Sequence, residues 1–175
     1  MNDEIVLLEA RRFRVVRRKQ TTRDGCEHDR EVILHPGAVT ILPLVDDNTV
    51  CLIRNFRVAV GETLIELPAG TLEPGEPPLE TARRELEEET GYRAGRIELL
   101  HEFYMSPGIL HERMHLFVAS ELTAGPTQRE AGEEIENLLV PWSEALAMAS
   151  DGRIRDAKTL AGLWCYDALR RSRAQ

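Results

Sequence analysis

Four glutamates, Glu85, Glu87, Glu88 and Glu89, crowd one helical turn inside the stretch "AGTLEPGEPPLETARRELEEETGY" that runs from Ala69 to Tyr92. On a helix of about 100° per residue with Glu85 as origin, Glu89 falls at about 40°, Glu88 at about 300° and Glu87 at about 200°. Leu79, Ala82 and Leu86 fall between about 60° and 120°, so Glu85, Glu88 and Glu89 border the apolar face and Glu87 points to solvent. Like charges this close work against a helix unless a counter-charge is supplied. Arg84 is spaced to offset Glu88. Glu85 and Glu89 remain, and two hard carboxylates side by side read as ligands for Mg²⁺ or Mn²⁺, which would in turn hold phosphate oxygens. The competing reading is a solvated helix face laced with Arg–Glu pairs.

Such a site needs elements to hold it. Pro77 and Pro78 suit the first turn of a helix over roughly residues 78–90, and Gly91 suits its end. Gly70 would let the backbone turn tightly between strand and loop. Strands are expected in "GAVTILPLV", "TVCLIRNFR", "TLIELPAG", "GRIELLHEFYMS", "MHLFVASEL" and "IENLLVPW". Two helices should close the chain, one capped by Ser143 and a second, amphipathic one in "DAKTLAGLWCYDALRRSR". Ahead of these, residues 4–20 carry β-type runs, Asp24-Gly25 signals a turn, and "REVILHPG" resumes a strand. The order predicts an α/β class with a mixed sheet packed by helices, and an N-terminal antiparallel β extension over residues 1–35 ahead of a domain over 36–175.

The 175 residues suit one domain, and 30% charged against 42% apolar residues marks a folded chain. A net charge of −8 argues against a general nucleic-acid surface, though an acidic protein can take an anionic substrate through bridging metal. Cys26, Cys51 and Cys165 are odd in number and lack a C-x-x-C pair, which points to free thiols in a reducing compartment. No run reaches the ~20 apolar residues of a membrane span, and the N-terminus reads poorly as a signal peptide. The expected location is the cytoplasm.

The carboxylate segment resembles the Nudix box, G-x5-E-x7-R-E-U-x-E-E-x-G-U, where U is a bulky apolar residue. Gly70, Glu76, Arg84-Glu85-Leu86, Glu88-Glu89 and Gly91-Tyr92 fill its positions, with Tyr92 the looser fit. The resemblance implies a Nudix fold, a mixed β-sheet sandwiched between α-helices. It implies metal ligation by Glu85, Glu89 and the Ala69 carbonyl, with Glu88 and Arg84 close by in the catalytic machinery. The implied chemistry is hydrolysis of a nucleoside diphosphate linked to another moiety.

The flanks "IRNFRVAVGETLIELPAGTLEPGE" and "YMSPGI" look like the ADP-ribose pyrophosphatase branch, whose expected products are AMP and ribose 5-phosphate. A GDP-mannose or other nucleotide-sugar hydrolase is the alternative, and a non-catalytic ADP-ribose sensor a more distant one. By that resemblance Arg57 grips substrate phosphate, Met105 and Ser106 line the ribose pocket, and Glu66 contacts substrate or the groups behind it. A general base is expected from the acidic loop "TAGPTQREAGEEIENLLV", with Glu133 favoured over Glu130 and Glu134. The branch often stacks adenine on an N-terminal aromatic of a partner subunit. Here Phe13 is the only aromatic before residue 50, so Arg12 or Arg14 could replace it. N-terminal strands that cross between subunits imply a homodimer.

Overall fold

The computed structural model describes residues 4–129 and 134–173. Its N-terminal part is an antiparallel sheet of β1 (Ile5–Glu9), β2 (Arg14–Thr21) and β3 (Glu27–Leu34), ordered β1-β2-β3. The β2–β3 hairpin turns at Asp24-Gly25 as expected, and Gly25 takes φ 84°. The expected single hairpin is thus preceded by a further strand, because residues 10–13 break the run that alternation alone joins together.

The body follows with β4 (Ala38–Pro43), β5 (Thr49–Arg57), β6 (Glu62–Glu66), β7 (Ala69–Thr71), α1 (Pro78–Thr90) and β8 (Tyr92–Tyr104). It closes with β9 (Leu110–His111), β10 (Arg113–Ala124), β11 (Ile135–Pro141), α2 (Trp142–Ser150) and α3 (Ala157–Arg173). One sheet has the order β7-β4-β10-β8, with β4 and β10 parallel and the other pairs antiparallel. A second, antiparallel sheet has the order β11-β5-β6. The short β9 pairs with β3 and ties the extension to the body.

Strand alternation divides the core in two. Val39 and Ile41 of β4 and Phe117 and Ala119 of β10 face α1, where they enclose Ala82 and Leu86. Leu42 and Leu116 face the other way, onto Leu52 of the second sheet, Trp142 and Met148 of α2 and Leu163 of α3. Helices therefore cover the sheets from both sides, which is the expected mixed-sheet α/β architecture. Burial of the Leu86 side chain alone contributes roughly 1.5–3 kcal/mol to holding α1 on its sheet.

Local departures have local causes. "TLIELPAG" is two strands, β6 and β7, because Pro68 has no N–H to continue a ladder and instead its carbonyl accepts from Ile41 N at 2.9 Å. α2 starts one residue before Ser143, with Pro141 at the cap position and Trp142 N donating to Asn48 O. All three cysteines are free thiols, and burial pushes Cys51 up to about 12. Among the described residues no helix is long and apolar enough to cross a membrane.

Candidate active site

α1 spans Pro78–Thr90, with Pro77 at its N-cap and Gly91 at its C-cap in the left-handed conformation, φ 76°. Its last carbonyls are all taken. Glu87 O accepts from Gly91 N, Glu88 O from Gln128 N, Glu89 O from Arg129 Nε and Thr90 O from Asn137 Nδ2. Residues 125–129 are thereby fastened to the end of the carboxylate helix, which removes the orphan acceptors that otherwise fray a helix terminus.

The charge offset for the glutamates is Arg84. Its Nη1 donates to Glu85 Oε1 at 2.7 Å and Glu88 Oε2 at 3.0 Å, and its Nε and Nη2 reach Glu76 at 3.2 and 3.1 Å. The role of Glu76 was not apparent from its place in the motif: it is a bidentate brace that fixes the guanidinium from behind. Hydrogen bonds to Glu76, and the charges of Glu85 and Glu76, raise the pKa of Arg84 further, so it stays a cation. Glu87 does not face open solvent as helical geometry suggests. It pairs with Arg93 of β8 and stands 3.4 Å from the Gln128 amide.

Glu89 occupies a core-facing position one turn beyond Leu86 and is 4% exposed. Its Oε2 accepts from Ala69 N at 2.9 Å, which ties the carboxylate to the strand that carries the Ala69 carbonyl. Gly70 explains the neighbouring position. A Cβ there would lie 1.9 Å from Glu85 Cδ and Oε1. Gly70 is absent from the positive-φ residues, so the glycine is required by the close approach of the Glu85 carboxylate and not by the tight turn expected from sequence.

Glu85, Glu89, Ala69 and Gly70 line a cleft of about 600 Å³ together with Arg57 and Met105. Among the described residues no group of three or more His, Cys, Asp or Glu side chains forms a metal cage. The donor set is two carboxylates and a backbone carbonyl, which fits Mg²⁺ or Mn²⁺ completed by phosphate and water better than an all-protein site. The close seat of the Glu85 carboxylate against Gly70 is the feature of this structure that such an ion would use.

Arg57 reaches the cleft from the end of β5, held by Glu66 through Nε at 2.8 Å and Nη2 at 2.7 Å. Glu66 is 1% exposed and also takes Lys158 Nζ. It lies behind Arg57, in the second of the two places the sequence left open for it, bonded to the groups behind the cleft wall. Burial pushes Glu66 up, but its bonds to Arg57 and the charges of Lys158 and Arg57 outweigh this and leave it below the ordinary carboxylate range. A carboxyl that binds its proton less readily when folded stabilises fully above its unfolded pKa of about 4.3, and that contribution is lost as pH falls through the lowered folded value. Thermal midpoints measured from about pH 6 down to about pH 3 should fall less steeply for Glu66→Gln, which lacks this proton uptake. Equal slopes would show that Glu66 is not ionised in the fold.

Met105 lines the cleft, whereas Ser106 uses its backbone carbonyl to close the turn to Ile109 and Leu110. Arg11 and Arg12, between β1 and β2, line the cleft of their own chain, as does Glu112, which has His35 Nδ1 at 3.5 Å. Arg14 is in β2. Glu133 and Glu130 lie outside the described residues, and Glu134 is exposed. His115 is a packed strand residue whose Nδ1 meets Glu102 at 2.7 Å.

This cleft, between a helix carrying the motif and a mixed sheet, belongs to a known class: the chain matches the NUDIX domain over residues 34–163 and is a member of that family. It is 41% identical over 138 residues to an ADP-ribose pyrophosphatase of Bacillus subtilis (strain 168), covering 78% of this chain and 75% of that protein. A GDP-mannose pyrophosphatase of Escherichia coli O1:K1 / APEC is 41% identical over 152 residues, covering 80% and 79%. A methanol dehydrogenase activator of Bacillus methanolicus is 39% identical over 142 residues, covering 78% and 75%. The crystal structure of an ADP compounds hydrolase superposes with TM-score 0.86 over 98% of this chain and 93% of that chain, at 24% identity, a likeness of fold.

Proposed function

We propose that the protein hydrolyses the pyrophosphate bond of ADP-ribose, with water added across P–O–P to give AMP and ribose 5-phosphate. One observation carries the reading: the cleft sets the Glu85 and Glu89 carboxylates against Arg57, anionic donors for a cation beside a cationic grip for phosphate. When bound, Mg²⁺ or Mn²⁺ supplies charge neutralisation at the diphosphate and a more acidic water. Glu85, Glu89 and the Ala69 carbonyl would hold it. Arg84 holds Glu85 and Glu88 in place through its hydrogen bonds, and Arg57 orients the phosphates. Glu133 is assigned as the base that takes the proton from water, on its position in the sequence. A Glu133→Gln variant with unchanged turnover would remove it from that role.

The similarity to a GDP-mannose pyrophosphatase favours a second reading, since metal and Arg57 address the diphosphate and not the base. A panel of nucleoside diphosphate compounds with Mg²⁺ or Mn²⁺, scored by product, separates the two. AMP release fastest from ADP-ribose supports the first reading, GMP release fastest from GDP-mannose the second. Binding without product would mean a sensor, against which the complete motif argues.

The working form is proposed to be a cytoplasmic homodimer. Ile5, Val6, Leu7 and Leu8 of β1 are 45–56% exposed on an edge strand, an apolar surface that a second copy would cover. Light scattering should give twice the chain mass, and Leu8→Lys should lower it toward the monomer. A monomeric wild type would refute the dimer.

A further inference from the structure

The start of α3, from Asp156 just ahead of it to Thr159, brings Asp156 and Lys158 to the wall of the cleft, and no feature of the motif accounts for it. We propose that Lys158, with Asp156 and Thr159, forms a positioning element for Arg57 that acts through Glu66. The inference rests on the reading of Arg57 as the phosphate grip.

Lys158 is 8% exposed, and its Nζ donates to Glu66 Oε2 and, at 2.8 Å, to Asp156 Oδ1. Glu66 Oε2 is shared, since it also accepts from Arg57 Nη2 at 2.7 Å, while Oε1 accepts from Arg57 Nε at 2.8 Å. Charges therefore alternate along one line, from the Arg57 guanidinium through Glu66 and Lys158 to Asp156. A guanidinium has five N–H donors. Two point back at Glu66, which turns the others toward the cleft that Arg57 lines. A carboxylate clamped from behind by an ammonium cannot swing with its arginine, so the grip is set before substrate arrives.

The same turn holds the other half of the site. Thr159 Oγ1 accepts from Leu67 N at 2.8 Å and donates to Asp156 Oδ2 at 2.5 Å, and Thr159 N donates to that oxygen at 2.9 Å. Leu67 leads through Pro68 to Ala69, whose N–H holds Glu89. One helical turn, about ninety residues distant in sequence, thus fixes both Arg57 and the strand beside the carboxylates, and with them the distance between phosphate grip and cation site.

A purely structural network that only docks α3 would change stability and leave substrate affinity alone. The test is kcat and KM for ADP-ribose in wild type, Arg57→Ala, Lys158→Met, the double variant and Lys158→Arg, with thermal midpoints in parallel. Lys158→Met should raise KM about tenfold, in the range seen for groups that orient a ligand-holding residue. Lys158→Arg should recover most of that loss. In the Arg57→Ala background Lys158→Met should raise KM no further, because the residue it positions is gone. Asp156→Asn keeps the helix cap but removes the charge behind Lys158, and it serves if Lys158→Met does not fold; it should raise KM about threefold, again only while Arg57 is present. An unchanged KM in Arg57→Ala would sink the reading of Arg57 itself. A raised KM there, with Lys158→Met and Asp156→Asn either silent or equally harmful without Arg57, would overturn the positioning role alone.

Discussion

Replacing Glu89 by Gln is expected to lower kcat for ADP-ribose by at least about 10²-fold, since even groups that merely orient a metal ligand cost roughly 10–100-fold when removed. The substitution is close to isosteric, and an amide oxygen can still accept from Ala69 N, which the carboxylate meets at 2.9 Å. It also removes one negative charge from a helix face that carries Glu85 and Glu88. Stability should therefore hold or rise while activity disappears, the pattern of a residue kept for function at some expense to the fold. A solvated charged face predicts the reverse, with activity near wild type. Steady-state kinetics and a thermal melt on the same preparation decide between them.

The second large effect comes from a single methyl group. Gly70→Ala would place a Cβ 1.9 Å from Glu85 Cδ and Oε1. What stands there is the far end of a flexible side chain, so the chain can relieve the clash by moving the carboxylate, and the backbone conformation at Gly70 lies outside the positive-φ region. The fold should survive and the cation site should not. Activity is expected to fall by about the same factor as in Glu89→Gln, and the Mg²⁺ concentration for half-maximal rate to rise roughly 10–100-fold. Wild-type metal dependence in Gly70→Ala would show that Glu85 does not need its seat against β7.

Much of this was legible in the sequence because it is local. Pro77, Pro78 and Gly91 bracket α1 at the bounds expected, and the Arg84–Glu88 pair follows from helical spacing. A mixed sheet packed by helices follows from the order of strands and helices, while their placement on both sides came with the resemblance of the motif to the Nudix box. What stayed hidden depends on pairing between distant segments. Glu66 reads as an alternating strand residue, and only the arrival of Lys158 from α3 makes it a buried carboxylate. The brace from Glu76 to Arg84 crosses eight residues of loop and helix and has no periodic signature. β9 is two residues long and exists because β3 offers it an edge. Arg11 and Arg12 reach the cleft because the chain breaks between β1 and β2, a break that the β-type runs of residues 4–20 do not locate.

The account turns on where a divalent ion sits, and manganese reports its own position. A crystal of the protein grown with Mn²⁺ and a non-hydrolysable ADP-ribose analogue, measured at the manganese absorption edge, should place anomalous density among Glu85, Glu89 and the Ala69 carbonyl, with the diphosphate between it and Arg57. Manganese found elsewhere, with those carboxylates turned to bulk water and the analogue outside the cleft, would contradict it.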